Sequence, residues 1–183
     1  WVLADRYQYD AAEEVAKAVL AREDASDEMR LGAKDYLAEI APDVMFASPP
    51  QFPVGGEVLV DVVTRGVAAM RMELWKLDPE KLVEHGMWER GMWNAHQKVW
   101  EMALGGGWRW RIDPKDVDSY LPFYERVAAW TEPVRMKGNH MQTLGRVAVP
   151  AAEAGSYVLV AEVDGERRIQ PLQVARSIVL SVN

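Results

Sequence analysis

Cysteine is absent from the 183 residues of this chain. Its absence excludes disulfide bonds, thiolate metal sites and a cysteine nucleophile. It fits the cytoplasm and the bacterial periplasm equally well, so it does not assign a compartment. A chain of this length buries roughly 70% of its unfolded surface and needs no disulfide or metal to fold.

A surplus of basic charge is also missing. The formal net charge is -7 and the pI is about 5.1, whereas nucleic acid binding requires a basic footprint. No apolar run approaches the roughly 20 residues of a transmembrane helix. The chain begins at Trp1, without an initiator Met or a signal peptide, so we expect it to be a piece of a longer protein.

Helical spacing is clearest in the first 41 residues, which predict two helices. Ser26, followed by Asp27 and Glu28, predicts an N-cap and an acidic first turn for the second helix, and Pro42 ends it. The predicted apolar faces are Ala11, Val15, Ala18 and Val19 in the first helix, and Met29, Ala33, Leu37 and Ile40 in the second. Such a pair resembles the last unit of a helical repeat array, and we expect it to dock on the rest of the chain or to end a longer array.

Alternation of apolar and polar residues predicts strands from Asp43 to Leu77 and from Thr143 to Val182. The predicted inward faces of the first segment are Val58, Val60 and Val62, followed by Met70, Met72 and Leu74. We interpret these two runs as a hairpin. The second segment is rich in Val and is interrupted by Pro150, Gly155 and Gly165, which is typical of an antiparallel β-sandwich.

Residues 78–130 differ from their flanks and predict a helical excursion between two strands. Asp78-Pro79 predicts a helix start, and Gly105 to Gly107 end that helical pattern. Asp113-Pro114 predicts a second helix, and strands are expected to resume near Glu132.

Two groups within the excursion are candidates for binding. Glu84, His85, Glu89 and His96 include a His and a Glu four residues apart, which could ligate Zn²⁺. His96 lies about 16 Å from His85 along an unbroken helix, so we favour a solvated charged face. Five tryptophans could form a carbohydrate or peptide platform, although we favour their burial against the sandwich. They are Trp88, Trp93, Trp100, Trp108 and Trp110.

Signatures of catalysis are not recognisable. There is no nucleophile elbow, and the glycines at 105–107 follow a helix rather than precede one, unlike a phosphate loop. No pattern pairs two carboxylates for acid–base work. We therefore expect no enzyme activity, no catalytic residue, no cofactor and no metal site in this chain.

The order of motifs resembles the N-terminal part of a bacterial alpha-2-macroglobulin-like protein. In that family a strand ending near Arg-Asn-Val leads into a second strand. The counterparts here are Arg65-Gly66-Val67, with Gly66 in place of the usual Asn, and Leu74–Asp78. The family's Gly-Tyr hairpin corresponds to Val149–Val160, and its closing strand to Val174–Val179.

The resemblance implies a mainly β fold with α-helices. Residues 1–41 would be a helical segment, and residues 42–183 an immunoglobulin-like macroglobulin sandwich carrying the excursion at about 78–130. Gly155 would allow a tight turn, and Tyr157 and Leu159 would pack inward.

The resemblance also implies a function. The fragment would be a scaffold domain of a large extracytoplasmic protease inhibitor, with other domains of the parent chain and a protease as partners. The family's thioester needs a cysteine, so that chemistry has no counterpart here. The alternative is a carbohydrate- or peptide-binding sandwich that uses the five tryptophans.

Overall fold

The computed structural model describes residues 8–47, 51–84, 117–138, 140–151 and 153–176. Within them, no helix is long and apolar enough to span a membrane. The helices are α1 (Tyr9–Ala21), α2 (Asp27–Ile40), α3 (Pro79–Glu84) and α4 (Val117–Tyr120), and a 3₁₀ turn follows at Leu121–Phe123. The strands are β1 (Asp43–Phe46), β2 (Gln51–Pro53), β3 (Val58–Arg65), β4 (Ala69–Leu77), β5 (Tyr124–Pro133), β6 (Gln142–Val149), β7 (Gly155–Val163) and β8 (Glu166–Ala175).

These strands form two sheets. The smaller sheet has the order β1-β3-β6 and is antiparallel throughout. The larger has the order β2-β8-β7-β4-β5 and is antiparallel except for the parallel pair β2–β8. The predicted fold class, a mainly β two-sheet sandwich preceded by a helical pair, is confirmed.

The core lies between the two sheets, where side chains of alternating strand positions meet. It contains Val58, Val60 and Val62 from the small sheet and Met70, Met72, Leu74, Tyr157 and Leu159 from the large one. The inward faces predicted from the alternation are therefore confirmed, and so is the inward packing of Tyr157 and Leu159.

The predicted hairpin between β3 and β4 is wrong. β3 pairs with β1 and β6, whereas β4 pairs with β5 and β7 in the other sheet. The chain crosses between the sheets at Gly66, whose φ of 64° is in the left-handed region that favours glycine. The prediction failed because alternation identifies the buried face of a strand but not its partner.

The end of the excursion covers the outer face of the large sheet. Tyr120, Phe123 and Tyr124 pack on Val158 and Val160, the side chains of β7 that point away from the main core. Burial raises the pKa of Tyr124 well above its ordinary value. β5 begins at Tyr124, so strand structure resumes earlier than the predicted position near Glu132.

The β7–β8 hairpin turns at Asp164-Gly165, where φ is 50° and 80°. Two left-handed residues between paired Val163 and Glu166 are typical of a type I′ turn. Gly155 has a different role from the predicted one. It pairs with Val174 inside the sheet, and a Cβ there would lie 3.3 Å from Lys76 Cε.

The helical pair has a small core of its own, formed by Ala12, Ala16, Ala33, Tyr36 and Ile40. The predicted face of α2 is largely confirmed, although Met29 is exposed. The predicted face of α1 is wrong at Ala11, Val15 and Ala18, which are exposed. The buried residues of α1 lie one position away, at Ala12 and Ala16. Ser26 caps α2 as predicted, because its side chain accepts a hydrogen bond from the Met29 amide.

Candidate functional site

The residues that the sequence nominated for binding lie almost entirely outside the described part of the chain. This applies to the tryptophans at 88, 93, 100, 108 and 110, and to His85, Glu89 and His96. Glu84 is the last residue of α3. The tryptophan platform and the zinc hypothesis for this segment therefore stay predictions.

Within the described residues, titratable side chains meet where the helical pair contacts the sandwich. His140 lies in the loop between β5 and β6, and its side chain is only 10% exposed. Its Nε2 atom lies 3.0 Å from Glu13 Oε2 and 3.3 Å from Asp10 Oδ1, both on α1. Its Nδ1 atom lies 3.4 Å from the Ile40 carbonyl oxygen at the end of α2.

The helical spacing of Asp10 and Glu13 explains why both carboxylates reach the same ring. Residues three apart lie on one face of a helix, and both belong to the first turns of α1. The ring of Tyr9 packs beside that of His140 at a tilt of 58°, with centroids 6.2 Å apart. The imidazole is thus held from three sides by α1 and α2.

Charge at this junction favours the ionised form of Glu13. The pKa of Glu13 lies below its ordinary value, mainly because Lys17 hydrogen-bonds the carboxylate. The contact with His140 lowers this pKa by a smaller amount, and partial burial of the carboxylate opposes the shift. Lys17 Nζ lies 2.8 Å from Oε1, the oxygen that points away from His140. The two carboxylate oxygens of Glu13 therefore have separate partners.

Arg65 binds the segment that joins the helical pair to β1, and Arg168 binds the first residue of β1. Arg65 Nε donates a hydrogen bond to the Ala41 carbonyl at 3.1 Å, and Arg168 Nη2 lies 3.0 Å from Asp43 Oδ1. These bonds come from the two different sheets. The helical pair is therefore attached to the sandwich through both its linker and the His140 contact.

The outer face of the small sheet carries a row of apolar side chains. Met45, Val63 and Leu144 occupy paired positions across β1, β3 and β6. Met45 and Leu144 are 46% and 68% exposed. An exposed apolar row of this kind is a candidate contact surface.

Sequence reasoning missed the junction. The i, i+3 spacing of Asp10 and Glu13 was visible as a signal, but their partner His140 is distant in the chain and belongs to an irregular loop. Only the folded arrangement places them together.

Comparison with known proteins finds similarity to solved structures. No model of a protein family matches the chain, and no curated protein matches it. Solved structures do resemble this chain. One is a crystal structure of native alpha-2-macroglobulin from Escherichia coli spanning domains MG0-NIE-MG1, with 17% identity and a TM-score of 0.46. It is matched over 73% of this chain and 38% of that one.

The second is a crystal structure of the same protein spanning domains NIE-MG1, with 18% identity, a TM-score of 0.46, and coverage of 74% of this chain and 61% of that one. The third is a cryo-EM reconstruction of the native conformation of E. coli alpha-2-macroglobulin, with 16% identity and a TM-score of 0.45. It is matched over 73% of this chain and 8% of that one. The chain therefore spans less than two thirds of the length of each of these three chains.

Proposed function

We propose that this chain is a macroglobulin-like scaffold domain of a large alpha-2-macroglobulin-like protease inhibitor located outside the cytoplasm. The proposal assigns no catalytic residue to the fragment. Its contribution is structural, through contacts with other domains of the parent chain that surround a captured protease.

The observation that carries the proposal is the pairing of two motifs of the family resemblance. The segment Leu74–Asp78 begins in β4 and the Gly-Tyr motif ends in β7, and these two strands are neighbours in the large sheet. The motif is not a hairpin as expected, because it starts in β6 of the small sheet and crosses to the large one. Leu74 pairs with Leu159, and both side chains are fully buried. Two short motifs, distant in sequence, thus form the centre of one sandwich.

The apolar row supports a role in domain packing. Met45 and Leu144 leave apolar surface exposed on the face of the small sheet opposite the core. A neighbouring domain that covered this row would remove it from water, which is favourable by roughly 25 cal/mol per Å² of apolar surface. A scaffold domain needs such surfaces for contact with its neighbours.

The function is tested in the parent protein. The parent is incubated with a protease, and cleavage of a large protein substrate is compared with cleavage of a short peptide substrate. Trapping inside a scaffold predicts that the protein substrate is protected while the peptide is still cleaved. A parent that protects neither substrate, or one that protects the protein substrate equally well after removal of this domain, contradicts the proposal.

A matched pair of variants tests the contact surface. Leu144→Asp lies in the apolar row, and Val127→Asp places the same change at an exposed position of β5. We expect Leu144→Asp to lower the melting temperature of the parent protein more than that of this chain alone, and Val127→Asp to affect both equally. Equal effects of Leu144→Asp on the two proteins would contradict a domain contact at this row.

A further inference from the structure

We infer that Asp10, Glu13 and His140 form a zinc site that ties the helical pair to the sandwich. This inference does not rest on the proposed inhibitor function, since it follows from the ligand atoms alone. Sequence reasoning expected no metal site in this chain.

The first argument is the chemistry around the imidazole. Nε2 can donate to Glu13 in one tautomer, whereas Nδ1 donates to the Ile40 carbonyl oxygen in the other, which is the tautomer that zinc binding requires. The lone pair of a neutral ring is then on Nε2, which faces the two carboxylate oxygens of Asp10 and Glu13. Three electron-rich atoms converge on one point, and a cation there satisfies all of them.

The second argument is that the backbone bond is the usual support of a metal-binding histidine. Histidine ligands generally donate their second N–H to a carbonyl or carboxylate, which fixes the tautomer and orients the ring. Here the Ile40 carbonyl supplies that support, and the ring is nine-tenths buried. The ligand is therefore positioned before a metal binds.

The third argument is geometry. The ligand atoms of the three residues lie within 4.8 Å of one another, and two of the separations are 3.0 and 3.3 Å. Zinc bonds of about 2.1 Å in a tetrahedral site separate neighbouring ligand atoms by about 3.4 Å. Small side-chain movements would complete the site.

The donor set selects the metal. One imidazole nitrogen with two carboxylate oxygens suits zinc, whereas magnesium and calcium prefer oxygen ligands alone. Lys17 does not compete, because it binds the other oxygen of Glu13. Asp10 is 79% exposed, so water has access to a fourth coordination position.

The experiment uses the whole chain, stripped of metal with a chelator and returned to neutral buffer. Zinc binding is measured by calorimetry, and thermal unfolding is measured with and without zinc. We expect one zinc ion per chain and a melting temperature that rises with zinc concentration, since a ligand that binds only the folded state stabilises it.

Three variants locate the ion. We expect His140→Ala and the pair Asp10→Asn/Glu13→Gln each to weaken zinc binding by more than about tenfold, because loss of a supporting group alone already costs that much. The control, His85→Ala/His96→Ala, removes the other two histidines and should bind zinc as the original chain does. Circular dichroism checks that each variant folds. If His140→Ala does not fold, the Asp10→Asn/Glu13→Gln variant alone tests the site.

Two results would overturn the inference. One is no zinc binding by the original chain at micromolar concentrations. The other is binding that survives the Asp10→Asn/Glu13→Gln change or disappears in the His85→Ala/His96→Ala control. Because none of these measurements involves a protease, failure here is separate from failure of the proposed function.

Discussion

Tyr157 shows at the scale of one residue how a strand position combines burial with a polar contact. Its side chain is almost fully buried in the main core. Its hydroxyl donates a hydrogen bond of 2.9 Å to the Glu153 carbonyl at the entry to β7. The aromatic ring therefore anchors the centre of the large sheet, and the hydroxyl fixes the turn before it.

Replacing Tyr157 with alanine should lower the free energy of unfolding by about 3 kcal/mol or more, because it leaves a cavity in a packed core. Tyr157→Phe keeps the ring and should lose about 1 kcal/mol from the hydrogen bond. Denaturant unfolding measures both. A loss below about 1 kcal/mol for Tyr157→Ala would mean that the ring is not packed as described.

The ion pair between Lys76 and Glu153 makes a second prediction at this scale. Lys76 hydrogen-bonds the carboxylate and so lowers the pKa of Glu153 below its ordinary value. Because the pKa is lower in the folded state, the pair stabilises the fold above the unfolded pKa of Glu153 and loses that contribution as pH falls. We expect Lys76→Met to raise the pKa of Glu153, as followed by NMR titration.

The control for that titration is Lys81→Met, which removes a lysine paired with Asp78 instead. It should leave the pKa of Glu153 unchanged. An unchanged Glu153 pKa in Lys76→Met would show that the two side chains do not pair in solution.

At the scale of the element, the turn between β7 and β8 depends on glycine. Gly165 has a φ of 80° and open space around its Cα, so an added methyl group would meet strain but no clash. Gly165→Ala should therefore destabilise the fold by about 1 kcal/mol. Thermal or denaturant unfolding is the measurement.

Gly145→Ala is the matched control. Gly145 lies in β6 with ordinary backbone geometry, and an added Cβ would lie 3.9 Å from the Val62 carbonyl oxygen. Its effect should stay within about 0.5 kcal/mol, or be slightly stabilising, because alanine restricts the unfolded chain. Equal losses at both positions would contradict the turn assigned to Asp164-Gly165.

Local signals predicted the elements better than their partners. The period of two at Val58, Val60 and Val62 identified a strand and its buried face, and Ser26 identified a helix start, because both depend on nearby residues. The partners of β3 are β1 and β6. The pairing with β6 could not be predicted from local pattern, because β6 is distant in the chain. For the same reason His140 could not be joined to Asp10 and Glu13 from sequence.

At the scale of the whole molecule, the helical pair and the sandwich have separate buried cores. Among the described residues, the helical cluster draws on α1 and α2 alone, whereas the main cluster contains residues of the strands and their connections. The two parts meet through polar contacts at His140 and Arg65.

Removing residues 1–41 should leave a sandwich that still unfolds cooperatively, because none of the described residues 8–41 belongs to the main core. Near-ultraviolet circular dichroism during heating checks this, with the full chain as control. Loss of the cooperative transition in the shortened chain would show that the sandwich depends on the helical pair for its fold.

The most direct test of the central claim is the DNA sequence on both sides of the segment that encodes this chain. A scaffold domain of an alpha-2-macroglobulin-like protein predicts a long reading frame that continues past Asn183 into further sandwich domains. A stop codon soon after Asn183, with no sandwich domain encoded in the same frame, would contradict the account.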